Sequence, residues 1–164
     1  MFQEGNTHAV RCSLRISRSA EITVDAPIKI AFPLFGPIRE KEWADGWNPE
    51  ILYANSDLEK HMIFTTPSQY EDEIQYTWIL TGLFTDIYKV EYTVSTRERI
   101  WFITVQCIDA GDKTNARITY TYTGLTDQGN RRNEESLKRM FRSNLQDWQD
   151  AINYYLKTGK KLIE

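Results

Sequence analysis

From Val10 to Val24 apolar and polar residues alternate with a period of two. Val10, Cys12, Leu14, Ile16, Ala20, Ile22 and Val24 share one face, and Arg11, Ser13, Arg15, Ser17, Glu21 and Thr23 the other. That pattern predicts a long strand buried on one side, with Arg18 marking a bend or bulge. Asp25-Ala26-Pro27 should end the strand and start a helix, with Asp25 as its cap and Pro27 in the first turn. Pro33 should stop that helix at once. Gly36-Pro37 opens a second short helix through Trp43, closed by Gly46 and Asn48-Pro49.

Strand then follows strand. Ile51–Ala54 and His61–Thr65 are short. Ile74, Tyr76, Trp78 and Leu80 alternate with polar neighbours, as do Tyr88, Val90, Tyr92 and Val94. Trp101, Ile103, Val105 and Cys107 come next, and after a turn at Asp109–Asp112 come Ala116, Ile118, Tyr120 and Tyr122. Short polar turns between such runs predict an antiparallel meander with one buried face.

The final segment changes period. Over Asn133–Lys157, Leu137, Met140, Phe141, Leu145, Trp148, Ile152 and Leu156 form one stripe at helical spacing. Asn133 is placed to cap the helix and Gly159 to end it. At 1.5 Å per residue a single helix here would be roughly 36 Å long. The expected architecture is α+β, within 1–164 as one domain. A curved antiparallel sheet of about seven strands wraps on a long C-terminal helix, with two short helices after the first strand.

Composition narrows the function. The chain has 164 residues, carries 20 Lys plus Arg against 23 Asp plus Glu, and shows no basic stripe, so nucleic acid is not an expected partner. No apolar run approaches the roughly 20 residues of a membrane span, and the N-terminus lacks a signal-peptide pattern. Cys12 and Cys107 read as buried thiols in a reducing cytoplasm. His8 and His61 are the only histidines, His61 reading as a solvent-edge strand residue. Neither they nor Glu71-Asp72-Glu73, which reads as a solvated turn, has the spacing of a metal site. No metal and no cofactor is expected. Aromatic content is high at 13%, with five Trp and nine Tyr, which suits a thick core or a cavity with a polar lining.

The order of elements resembles the helix-grip superfamily called SRPBCC or START-like over nearly the whole chain. The residues that carry the likeness are Phe32-Pro33-Leu34-Phe35-Gly36-Pro37, Glu40, Trp43, Gly46-Trp47 and Pro49. Phe64-Thr65-Thr66, Trp78, Tyr88 and Thr119–Leu125 ending at Gly129 resemble an uncharacterised bacterial branch. The resemblance implies a hydrophobic cavity between sheet and terminal helix that takes lipids, sterols or polyketides, and it implies no shared catalytic residue.

On that footing a small hydrophobic or amphipathic ligand is expected at Phe32, Glu40, Trp43, Trp47, Phe64, Trp78, Tyr88, Tyr92, Trp101, Tyr120, Phe141, Leu145 and Trp148. Each aromatic can equally be ordinary core, and Glu40 can equally pair with an arginine. Two alternatives stay open. One is a cyclase- or dehydratase-like enzyme with Glu40 moving a proton, and the other is a co-chaperone-like interaction domain with an exposed apolar patch. A homodimer is also open.

Overall fold

The computed structural model describes residues 13–163, so Cys12, His8 and the start of the predicted first strand lie outside the described residues. Seven strands form one antiparallel sheet. They are β1 (Arg15–Val24), β2 (Glu50–Tyr53), β3 (Ile63–Pro67), β4 (Gln75–Phe84), β5 (Lys89–Ser95), β6 (Arg99–Ala110) and β7 (Lys113–Gly124). Their order is β1-β7-β6-β5-β4-β3-β2, a meander from β2 to β7 closed by β1 pairing back along β7. The alternation places Tyr76 and Leu80, Val90 to Val94, Trp101 to Cys107 and Ala116 to Tyr122 on the covered face. A register shift between Leu80 and Gly82 bends β4 against β5, as an extra residue in one strand does. At Gly82 the Glu91 carboxylate and the Phe84 ring come close, 2.7 and 2.9 Å from where a Cβ would stand.

Some local expectations are corrected. Arg18 makes no bulge, since β1 keeps unbroken register with β7. Its guanidinium instead lies over the Phe141 ring at 5.4 Å and donates to the Asn144 side-chain oxygen at 2.9 Å. Ile74 precedes β4 and is 86% exposed. His61 is exposed but sits in a turn, with φ of 70°, rather than in a strand. Asp25 does not cap helix α1 (Ile28–Ala31), which starts after Pro27 without a side-chain cap, and pairs with Lys113 at 3.0 Å. As Pro33 dictates, α1 is short and runs into a 3₁₀ turn at Phe32–Phe35. A second 3₁₀ turn spans Arg39–Glu42.

The terminal helical segment grips the sheet, but it is two helices, α2 (Asp127–Met140) and α3 (Gln146–Thr158). Between them Asn144 and Leu145 adopt left-handed φ of 51° and 62°. Asn tolerates that region better than other side chains, because its short amide can bond locally. The apolar stripe survives the break, with Phe141, Leu145 and Ile152 fully buried. A spacing of four fits a compact turn as well as a continuous helix, which is why periodicity does not reveal the interruption. Nor is Asn133 the cap. Thr126 accepts from the Gly129 N–H at 3.1 Å, and Asn133 lies buried inside α2. Gly159 ends α3 in the left-handed conformation, as its position predicts. Among the described residues, no helix is long and apolar enough to cross a membrane.

Candidate functional site

Between the concave face of the sheet and α2/α3 lies a cavity of about 620 Å³. Its rim is the chain from Pro37 to Asn48, and its walls come from β3 to β7 and the two helices. Of the residues expected at a ligand, Glu40, Trp43, Trp47, Phe64, Trp78, Tyr92, Trp101, Tyr120 and Trp148 line it. Phe32, Tyr88, Phe141 and Leu145 do not. Phe32 and Tyr88 pack edge-on at 5.7 Å away from it, Tyr88 just before β5 with φ of 54°. Phe141 packs on the ring of Tyr120, also at 5.7 Å, and fills core beside the cavity together with Leu145.

The indoles do two jobs. The Trp43 N–H donates to the Leu34 carbonyl at 2.8 Å and the Trp47 N–H to the Pro37 carbonyl at 2.7 Å. These bonds brace the short helical segment, while the rings form wall. Trp47 meets Trp78 at 5.4 Å, and Trp78 stacks on Phe64 at 5.3 Å with its N–H donated to the Thr66 hydroxyl. Trp43 faces Trp148 at 5.9 Å. On β6 and β7, Trp101 stacks on Tyr122, which in turn stacks on Tyr120.

Polar groups in this setting are few. The Glu40 carboxyl has neither a hydrogen-bond partner nor an ion pair among the described residues, so the expected arginine pairing is not made. Burial pushes its pKa well above the ordinary carboxylate range. Within its electrostatic reach are the hydroxyls of Tyr92 and Tyr120, both also pushed well up, chiefly by burial. Tyr92 donates to the Phe35 carbonyl at 2.7 Å, whereas the Tyr120 hydroxyl has no protein partner among the described residues. A carboxyl whose protonated form burial favours and a phenol thus both line the cavity. They can donate to a ligand oxygen, and Glu40 can exchange a proton with one.

At another part of the wall sits a buried ionic cluster that the sequence reading missed. Arg99 is fully buried and donates to both oxygens of Glu73 at 3.0 and 2.9 Å, to the Ser136 hydroxyl at 2.9 Å and to the Tyr76 hydroxyl at 3.0 Å. Its guanidinium lies 4.7 Å from the Trp101 ring centroid. Glu73 is therefore no part of a solvated turn. Burial alone would raise its pKa, but hydrogen bonds from Arg99 and Ser68 outweigh that and lower it. Arg132 pairs with Asp72 and reaches Glu73 at 3.7 Å. A signal for Arg99 was present, because it lies two residues before Trp101 and so falls on the inward face of β6. Arg139 and Asp147 also line the cavity, and no periodic argument singles them out. Cys107 is a buried free thiol whose pKa desolvation pushes up to about 12, well away from reactivity at neutral pH.

No protein-family model matches the chain, and no curated protein sequence matches it significantly. Solved structures do. Norcoclaurine synthase from Thalictrum flavum superposes with a TM-score of 0.66 at 12% identity, over 96% of this chain and 98% of that one. The Zhui aromatase/cyclase from Streptomyces sp. R1128 gives 0.66 at 12% identity, over 91% and 100%. Major latex-like protein 151 from Panax ginseng gives 0.55 at 9% identity, over 70% and 83%. At such identities the likeness speaks for the fold. With seven curved antiparallel strands gripping a C-terminal helical segment, the chain has the helix-grip fold of SRPBCC-type proteins.

Proposed function

We propose that the cavity binds a small hydrophobic or amphipathic ligand of lipid, sterol or polyketide type. The observation that carries this reading is a space of about 620 Å³ walled by aromatic rings and lined by a carboxyl and a phenol that have no partner among the described residues. That volume lies within the usual range of ligand pockets, roughly 300–1,000 Å³. Burying apolar ligand surface gains about 25 cal/mol per Å², so a ligand hiding roughly 200 Å² gains about 5 kcal/mol before the costs of association. Few polar anchors are then needed, and Glu40 and Tyr120 supply them, while Trp43, Trp47 and Trp78 give apolar wall. The fold neighbours support the reading in that two of them are named for chemistry on small organic molecules. The same reading takes 1–164 as one domain and places the protein in the cytoplasm, where Cys107 stays a thiol. Tryptophan quenching and thermal shift against a panel of fatty acids, sterols and polyphenols test it. Saturable quenching with a raised melting temperature is expected. Silence across the panel refutes it.

The position of Glu40 favours a second reading, an acid–base step of the cyclase or dehydratase kind. A carboxyl whose pKa burial raises well above the ordinary range can give a proton to a carbonyl oxygen and take it back. Turnover of a polyketide mimic that is lost in Glu40→Gln while ligand affinity remains supports it. Binding without turnover leaves the first reading alone standing.

A further inference from the structure

We propose that the ligand is an organic cation, an aromatic or alkyl group bearing a quaternary or protonated amine, held with Glu40 as counter-ion and the rings of Trp43, Tyr120 and Trp148 as its cage. This rests on the ligand-binding reading above and names the class of ligand.

The geometry behind it is a carboxyl among rings with no counter-ion among the described residues. Trp43 and Trp148 stand 5.9 Å apart at an interplanar angle of 59°, and Tyr120 closes on Trp148 at 6.5 Å and 74°. Trp148 is thus inclined to both neighbours, and inclined rings on one cavity offer π-faces that can attract a cation. The charged and titratable groups on this wall come from several elements. They are Tyr92 on β5, Tyr120 on β7, Asp147 on α3, which acts on Tyr120, and Asp45 at the rim. None of these can carry a positive charge. The cationic side chains on the cavity are Arg99 and Arg139, and both are engaged elsewhere. Arg99 is bonded to Glu73 and lies over Trp101, while Arg139 is bonded to Gln69 and stacked near Tyr70. Neither cation is paired with Glu40, although the Arg139 charge reaches Tyr122 on the same cavity.

An uncharged guest leaves Glu40 without a counter-charge, and burial then favours its protonated form. A cation supplies the missing partner, and pairing favours the ionised form that burial opposes. For a quaternary ammonium the proton leaves Glu40 for solvent, one per ligand bound. For an amine arriving neutral, the same proton moves from the Glu40 carboxyl to the amine nitrogen.

The experiment compares benzyltrimethylammonium with its uncharged carbon isostere neopentylbenzene, from pH 6 to 9, by tryptophan quenching on the full chain. The ratio of the two affinities should swing toward the cation by about tenfold per pH unit until Glu40 ionises in the free protein. Calorimetry in two buffers of different ionisation enthalpy should find one proton released per cation. Glu40→Gln should lower the cation preference at least tenfold at pH 9 and flatten its pH dependence, and Glu40→Asp should restore the slope. If Glu40→Gln does not fold, the wild-type slope and proton count decide alone. A pH-independent ratio, no proton release, or a preference that survives in Glu40→Gln overturns the proposal while ligand binding still stands. Failure of both probes to bind overturns this proposal and counts against the cavity reading with it.

Discussion

Replacing Arg99 by Met puts the buried ionic cluster to the test. The guanidinium is fully buried and makes four hydrogen bonds, two to Glu73 and one each to Ser136 and Tyr76. Methionine fills much of the volume but leaves the Glu73 carboxylate with only the Ser68 hydroxyl at 2.8 Å and Arg132 at 3.7 Å. Breaking one side of a buried ion pair costs about 3–5 kcal/mol, mainly through the charge left behind. For a chain of this size that is a fall of about 6 to 20 °C in melting temperature. The pH dependence gives the sign. The Glu73 pKa is lowered in the folded state, so its contribution is present above the ordinary carboxylate value of about 4.3 and is lost as pH falls through the folded value. In Arg99→Met the carboxyl is no longer held down and can protonate, so the gap between wild type and variant should narrow in acid. Urea unfolding followed by tryptophan emission at pH 7 and pH 4 measures both. The double variant Glu73→Gln/Arg99→Met should recover part of the loss, because no unpaired charge remains. A loss below about 1 kcal/mol, typical of exposed pairs, or a double variant no better than the sum of its parts, refutes this account.

Other outcomes follow from single contacts. Gly129→Ala should cost about 1–3 kcal/mol in denaturant unfolding, because its Cβ would lie 1.9 Å from the Glu98 backbone oxygen and push α2 off the β5–β6 turn. Phe141→Ala removes a fully buried ring packed on Tyr120 and should cost about 3–5 kcal/mol by the same assay. The Glu40 pKa is raised in the folded state, so its contribution is fully present below about 4.3 and is lost as pH rises toward the folded value. Thermal melts should therefore show wild type losing ground to Glu40→Gln across that window by up to about 1.4 kcal/mol per pH unit. Asn144→Ala decides the helix break. In a continuous helix alanine would stabilise by about 0.5 kcal/mol, whereas at a left-handed residue it should destabilise by about 1 kcal/mol.

How much of this was legible depends on the range of the interaction. Period-two runs such as Ala116 to Tyr122 give the strands directly, because one covered face imposes alternation. The likeness at Phe32–Trp47 pointed to the rim. Glu40 could be named from its neighbours, but not its isolation, which depends on what β5 and β7 carry opposite it. The Arg99–Glu73 pair joins residues 26 apart, and no local pattern marks Glu73 as buried beside exposed Glu71 and Asp72. The break after Met140 was hidden because apolar spacing is preserved across it. The outward-facing Ile74 and the left-handed Tyr88 flank real strands, where alternation runs past the true ends.

Why the cavity stays open can be traced to the carbonyls of one short segment, one of them freed by a proline. A 3₁₀ turn would offer the Leu34 carbonyl the N–H three residues on, but that residue is Pro37, which has none. The carbonyl is left free in a buried place, and the Trp43 indole takes it. The Phe35 carbonyl next to it takes the Tyr92 hydroxyl, and the Pro37 carbonyl takes the Trp47 indole. Three rings are thus tied by their polar edges to a four-residue stretch, Leu34–Pro37, each at 2.7–2.8 Å. A ring so anchored cannot swing inward to fill the space without leaving both its own donor and a backbone acceptor unpaired, at about 1–3 kcal/mol for each buried group. Collapse would have to repay that for every ring. The aromatic-rich composition, which suits a solid core as well as a hollow one, is therefore held to the hollow form by the carbonyls that the Phe32–Pro37 segment leaves unused.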